Sequence, residues 1–379
     1  MRLDLQHLME QATALTRGGR LQEATDVIQR ALHGPGSSDG PRTPAPGDVI
    51  DVEAREVPTP AEGQGMALPS PTTRREGLPP RSAETPRTDK PAAPAVATTP
   101  ESFLRGRHGG PGAAGRDYKL YVPPNAGTQP RPLVVMLHGC TQDADDFAAG
   151  TRMNALAREH GFLVLYPIQS QQANQQRCWN WFKHTHQQRE RGEPALVAGM
   201  VREVMAGHAI DGSRIYVAGL SAGGAMAAIL GRTHPDLFAA VGVHSGLAAG
   251  AARDLPSALE AMKGGAKGVP LPADNAPPTI VFHGSADRTV HPRNGEQVVQ
   301  PFGPGREEAP QAAAGRRSST RRVWRDASGE VRAEHWLVQG APHAWSGGST
   351  TGSYTDPSGP DASAEMLRFF LAHPRRAPG

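Results

Sequence analysis

Cysteine is nearly absent: Cys140 and Cys178 are the only two in 379 residues. Two cysteines make no disulfide framework, and their spacing alone leaves one bridge and two reduced thiols equally open. Aromatic residues are sparse, at 5%. No apolar run approaches the roughly 18 residues that a membrane-spanning helix needs. Met1-Arg2-Leu3-Asp4 is followed by a mixed polar pattern without the apolar core or small-residue cleavage site of a secretory leader. The chain therefore reads as soluble and not exported by the general route. One-sided charge is also missing. The net charge of +3 and pI of about 9.0 are too weakly basic to point to nucleic acid. Glycine (44) and proline (36) are plentiful, and with so few aromatics they mark part of the chain as unpacked.

Three regions follow from the pattern. Leu5, Leu8, Met9, Ala12 and Leu15 recur at helical spacing, Gly18-Gly19 interrupts, and Leu21, Ala24, Val27, Ile28, Ala31 and Leu32 resume. Residues 1–34 thus read as a helical hairpin with one apolar face. It either docks on the main domain or on a second copy of the chain, or serves as a tether to a partner or polymer granule. Residues 35–100 read as a disordered linker, since apolar side chains are too few to offset the entropy of ordering.

From residue 101 to 379 short apolar strands alternate with helices. Tyr118–Val122 reads as an edge strand stopped by Pro123-Pro124. Pro132–Leu137, Phe162–Tyr166, Ile215–Ala218, Ala240–His244 and Thr279–His283 read as further strands. Ala195–His208, Ala222–His234 and Asp361–Ala372 read as helices. This is the α/β class, a mostly parallel sheet with helices on both faces. Ala248–Pro278 reads as an insert with a short helix around Ser257–Met262, placed as a lid. Gly303–Thr320 reads as a mobile surface loop.

The segment Ile215-Tyr216-Val217-Ala218-Gly219-Leu220-Ser221-Ala222-Gly223-Gly224 places Gly-x-Ser-x-Gly between a strand and a helix. A serine on such a turn has a strained backbone and an exposed hydroxyl, and the glycines keep side chains out of the crowding. Ser221 is therefore the candidate nucleophile. In this chain order an acid and then a histidine follow the serine. Asp287, on a loop after the Thr279–His283 strand, is the candidate acid, with Asp274 as the alternative. His343, on a loop after the strand-like Glu334–Val338, is the candidate base. His291 stands too near Asp287 in sequence, and His335 lies within a strand. A base of this kind must be neutral, so activity should rise through about pH 6–7. The oxyanion donors are read as the N–H groups of Ala222 and Cys140, each worth about 3–4 kcal/mol to the transition state. His184 and His186 have no evident third ligand nearby, so no metal or other cofactor is expected.

The segments LHGCTQ (137–142), CWNWF (178–182), GLSAGGAM (219–226), HPDLFAAVGVHSG (234–246), FHGSADRTV (282–290) and PHAW (342–345) together resemble the esterases related to poly(3-hydroxybutyrate) depolymerase, which include feruloyl and acetylxylan esterases. The resemblance spans roughly residues 115–373. It implies an α/β-hydrolase fold, the triad Ser221, Asp287 and His343, and Cys140 as oxyanion donor. It also implies a Cys140–Cys178 disulfide and an extracellular setting, against which the missing leader stands. Trp179, Trp181, Phe182 and Trp345 would then wall the substrate cleft; simple core packing is the alternative. The expected activity is hydrolysis of poly(3-hydroxybutyrate)-type polyesters or their oligomers through an acyl-serine. The alternatives are a feruloyl- or acetylxylan-type esterase, a peptidase or thioesterase on the same scaffold, and a catalytically idle fold kept as a binding module.

Overall fold

The structure, a computed structural model, describes residues 100–109, 115–124, 126–268, 276–308 and 316–376. The hairpin expected over 1–34 and the linker up to residue 99 lie outside these residues, as does Asp274.

Ten strands form one sheet in the order β1-β2-β4-β3-β5-β6-β7-β10-β9-β8. Strands β3 (Arg131–Leu137), β4 (Leu163–Pro167), β5 (Ile210–Leu220), β6 (Ala240–His244), β7 (Thr279–Gly284) and β10 (Val331–Val338) make its parallel centre. Antiparallel strands flank it: β1 (Ser102–His108) and β2 (Arg116–Val122) on one side, β9 (Ser319–Arg325) and β8 (Arg306–Glu307) on the other. The centre is apolar because both faces are covered. In β3, Leu133, Val135 and Leu137 enter one core, while Val134 and Met136 enter the opposite one. The first core is closed by α3 (Gly192–Gly207) and α4 (Ala222–Thr233). The second is closed by α1 (Ala144–Thr151), α2 (Met153–His160) and α7 (Ala362–Ala372).

Two expectations need correction. The Tyr118–Val122 strand is not an edge, because β1 pairs along its outer side from Ser102↔Val122 to His108↔Arg116. Arginines and an exposed Leu104 hide the strand character of β1 in the sequence. The stretch Gly303–Thr320 is not all loop, since it contributes β8 and the start of β9; residues 309–315 lie outside the described residues.

The insert carries α5 (Leu255–Gly264), started by a capping box in which Asp254 and Ser257 bond each other's backbone. It packs on α6 (Arg293–Val299), where Asn294 Nδ2 donates to Ala261 O at 2.9 Å. Upstream, Gln187 donates to Ala252 O (2.6 Å) and accepts from Gly250 N (2.8 Å). The insert is thus strapped between the segment after Trp181 and the loop after β7. Among the described residues no helix is long and apolar enough to cross a membrane.

Candidate active site

Ser221 sits between the end of β5 and the first turn of α4, with φ 57° and ψ −119°. A non-glycine residue holds this conformation only where its surroundings enforce it. Two backbone bonds do so here: Ser221 N–H donates to His244 O (2.8 Å), and Ser221 O accepts from Ala225 N (2.9 Å). A Cβ on Gly223 would stand 2.1 Å from Leu137 O, and one on Gly219 2.4 Å from Gly223 C. Only glycine fits at either place, and this close approach brings the serine turn against the end of β3.

Asp287 follows β7 on a tight turn and is buried. Its Oδ1 accepts from Thr289 N and Val290 N, both at 2.9 Å. Its Oδ2 lies 2.7 Å from His343 Nδ1 and 3.4 Å from His283 Nε2. Burial pushes the pKa of this carboxyl up. The bonds from His283 and His343 outweigh that and hold it well below the usual carboxylate range. An ionised carboxylate can only accept, so His343 donates from Nδ1, and a neutral ring in that tautomer has its lone pair on Nε2. The acid and base loops are stitched together: Ser285 N donates to Val338 O (2.9 Å), Ala286 N to Ala341 O (3.1 Å), and Gly340 N to Ser285 Oγ (2.8 Å).

His244 joins the segment after His343 to the serine turn, and sequence reasoning did not single it out. Its backbone oxygen holds Ser221, its ring stacks on Trp345 at 4.9 Å, and its Nε2 accepts from Ser346 N at 2.9 Å. Its place in the VHSG segment at the end of β6 was the available signal. His283, at the end of β7, reads in the sequence as a strand residue, and only the fold reveals that it faces Asp287.

The loop after β3 is held from several sides. Gly139 N donates to Gln142 Oε1 (2.9 Å) and Thr141 N to Gln176 O (2.6 Å). The Cys140 N–H between them meets no acceptor among the described residues. Ala222 N, as the first N–H of α4, has no partner available within its helix. Cys140 is bonded to Cys178, closing a sequence separation of 38. Such a closure contributes at most about 4 kcal/mol through the unfolded chain. Behind the bridge lies a buried polar network. Glu193 accepts from Asn180 N (2.7 Å), Asn180 Nδ2 (2.7 Å) and Gln169 Nε2 (2.6 Å). Gln169 N in turn donates to His138 Nε2 at 3.1 Å.

The expected aromatic cleft wall is placed differently. Trp179 is 0% and Trp345 1% exposed, so both are core residues. Trp179 donates from Nε1 to His138 O (3.1 Å), bracing the loop that bears Cys140. Trp345 wedges between His244 and Phe147, with its Nε1 on Ser363 Oγ at 3.0 Å. Trp181 is also buried, edge-on to a half-buried Phe182. The PHAW and CWNWF segments could not distinguish a ring facing a cleft from one supporting its wall. His186 lies 3.3 Å from Glu193 Oε2. Among the described residues no three His, Cys, Asp or Glu side chains converge as metal ligands would.

Buried neutral histidines give the fold an acid limit. Burial lowers the pKa of His138 to about 4 and of His335 to about 3, and carries that of His244 well below 6.5. On unfolding each takes up a proton below about pH 6.5, so the unfolded chain binds more protons than the folded one. This stability is fully present above about pH 6.5 and is lost as pH falls towards about 4, at about 1.4 kcal/mol per pH unit for each histidine. Asp287 acts in the same direction lower still, as its carboxylate is titrated. We expect the melting temperature to be flat above about pH 7 and to drop steeply between about pH 6 and 4.5. Calorimetry showing no change down to about pH 5 would contradict this assignment.

Residues 116–322, more than half of the chain, match the family model described as Esterase PHB depolymerase. Poly(3-hydroxyalkanoate) depolymerase C of Paucimonas lemoignei is 34% identical over 226 residues, 56% of this chain and 54% of that protein. Feruloyl esterase B of Neurospora crassa is 32% identical over 191 residues, covering 46% of this chain and 64% of that one. A probable acetylxylan esterase A of Neosartorya fischeri is 32% identical over 195 residues, 46% and 51% of the two chains. This chain thus spans about half to two thirds of the length of the curated relatives it matches. In architecture it is similar to an acetyl xylan esterase from Aspergillus awamori, with a TM-score of 0.56 and 21% identity over 72% of this chain and 99% of that one, a likeness of fold alone. With its sheet order, its serine turn and this family match, the chain belongs to the Esterase PHB depolymerase family.

Proposed function

We propose that this protein is a serine esterase that hydrolyses 3-hydroxyalkanoate polyesters or their oligomers through an acyl-serine intermediate. The observation that carries the reading is the 2.7 Å bond between His343 Nδ1 and the ionised Asp287, with His244 holding both the segment after His343 and the Ser221 turn. In this reading His343 Nε2 takes the proton of Ser221 Oγ as the oxygen attacks the ester carbonyl. The tetrahedral oxyanion is met by the N–H groups of Cys140 and Ala222. His343 then gives its proton to the leaving alcohol, and water repeats the sequence to free the acid. Asp287 fixes the ring and balances the imidazolium charge. The uncommitted Cys140 N–H supports its place in the hole.

The matched family and the 34% identical depolymerase favour an aliphatic polyester over plant-wall esters. Feruloyl and acetylxylan relatives keep the second reading alive. We expect kcat/KM for a 3-hydroxybutyrate trimer to exceed that for methyl ferulate by about tenfold or more, as two or three extra apolar contacts supply. The reverse preference would transfer the assignment to the aromatic esters. The apolar pattern of residues 5–32 supports a further proposal, a tether to a polymer granule or protein partner. Unchanged polymer binding after deletion of residues 1–100 would sink it.

A further inference from the structure

Tyr354 is one of the few large side chains of apolar character left exposed among the described residues, at 47%. It lies in the loop between two short paired strands, β11 (Trp345–Ser346) and β12 (Thr355–Asp356), directly downstream of His343. Its φ of 51° is a left-handed backbone that a bulky ring rarely adopts.

The loop does not need this ring to hold it. Ser353 N donates to Asp146 Oδ1 (2.7 Å), and Ser353 O and Oγ each accept from Gln142 Nε2 at 3.2 Å. Gln142 is the residue whose Oε1 holds Gly139 N. Tyr354 O accepts from Trp345 N at 2.7 Å. The backbone is therefore fixed to the loop bearing Cys140 on one side and to the loop bearing His343 on the other. The phenol completes the link. Thr141 Oγ1 gives its proton to Cys140 O (2.6 Å), so at 3.2 Å the Tyr354 hydroxyl donates to Thr141 Oγ1. One end of the ring is pinned beside the proposed oxyanion donor, while the residue stays 47% exposed.

We infer that Tyr354 is a specificity-determining residue whose exposed ring, pinned through Thr141 beside Cys140, is the apolar surface on which the carbon chain of the bound ester lies. This rests on the esterase reading above. Tyrosine suits the task because its ring offers wide apolar area at little cost in freedom while its hydroxyl sets the position. A two-carbon acyl group is too short to cover the ring, whereas a four-carbon chain adds two methylenes to lay on it.

The test compares p-nitrophenyl acetate and butyrate as substrates of the full chain. Tyr354→Asn removes the ring with a residue that accepts the left-handed backbone. Tyr354→Phe keeps the ring and removes the hydroxyl. Each buried methylene is worth about 0.8 kcal/mol, about fourfold in kcat/KM. Partial contact of two methylenes then predicts that Y354N lowers the butyrate-to-acetate ratio of kcat/KM by about five- to tenfold, mostly through KM, while Y354F lowers it less than about threefold. An unchanged ratio in Y354N would overturn the inference; if both esters also lose activity equally, the ring only braces the Cys140 loop. Wild type that turns over neither ester would overturn the esterase reading and this inference together.

Discussion

Replacing Ser221 with alanine lowers turnover of p-nitrophenyl butyrate by about 10⁴- to 10⁶-fold, the range typical of a lost serine nucleophile. The substitution deletes one oxygen from a half-buried residue whose turn is held by backbone bonds to His244 and Ala225. Neither bond involves the side chain, so the melting temperature stays within a few degrees of wild type. In the proposed mechanism what remains is catalysis by the Cys140 and Ala222 N–H groups on a water attack, and KM for the ester is expected to change little. A loss below about tenfold in a folded variant would mean that another group attacks the ester.

Asp287→Asn costs about 10⁴-fold in kcat, for a reason that the hydrogen bonds dictate. The amide must put its oxygen where Oδ1 now accepts from Thr289 N and Val290 N, since an NH₂ there would face two backbone donors. Its NH₂ then points at His343 Nδ1, which has to accept. The proton moves to Nε2, and the ring can no longer take one from Ser221. The size of the side chain is unchanged, so the fold survives. The checks are steady-state kcat with p-nitrophenyl butyrate and circular dichroism on the same sample. Activity within about tenfold of wild type would show that Asp287 does not set the tautomer.

The sheet centre was legible because residues buried on both faces leave near-continuous apolar runs: Pro132–Leu137 and Ala240–His244 are read directly as strands and occur as such. Its flanks were not, because β1 (SFLRGRH) and β9 (STRRVWR) carry charges on their solvent side, and only pairing with a neighbour makes them strands. Residues 144–160 hold two short helices that follow an Asp143 cap, too brief for periodicity to register. Chain order and loop position point to Asp287 and His343, and the structure brings them within a hydrogen bond. What the sequence could not convey was orientation. An aromatic residue beside a motif reads alike whether it faces substrate or core, which is why Trp179 and Trp345 were expected in a wall they only support. Tyr354 passed unnoticed for the opposite reason: it lies in a Gly- and Ser-rich loop with no periodicity, joined to Cys140 only in space, through Thr141.

In the proposed mechanism Ser221 Oγ is made nucleophilic by its setting. The most direct measurement is treatment of the full chain with a fluorophosphonate, followed by mass spectrometry of the intact chain and its peptides. One adduct per chain is expected, on the peptide containing Ser221, absent in both Ser221→Ala and protein unfolded beforehand. A folded protein that takes up no label, or carries it on another residue while ester turnover continues, would contradict it.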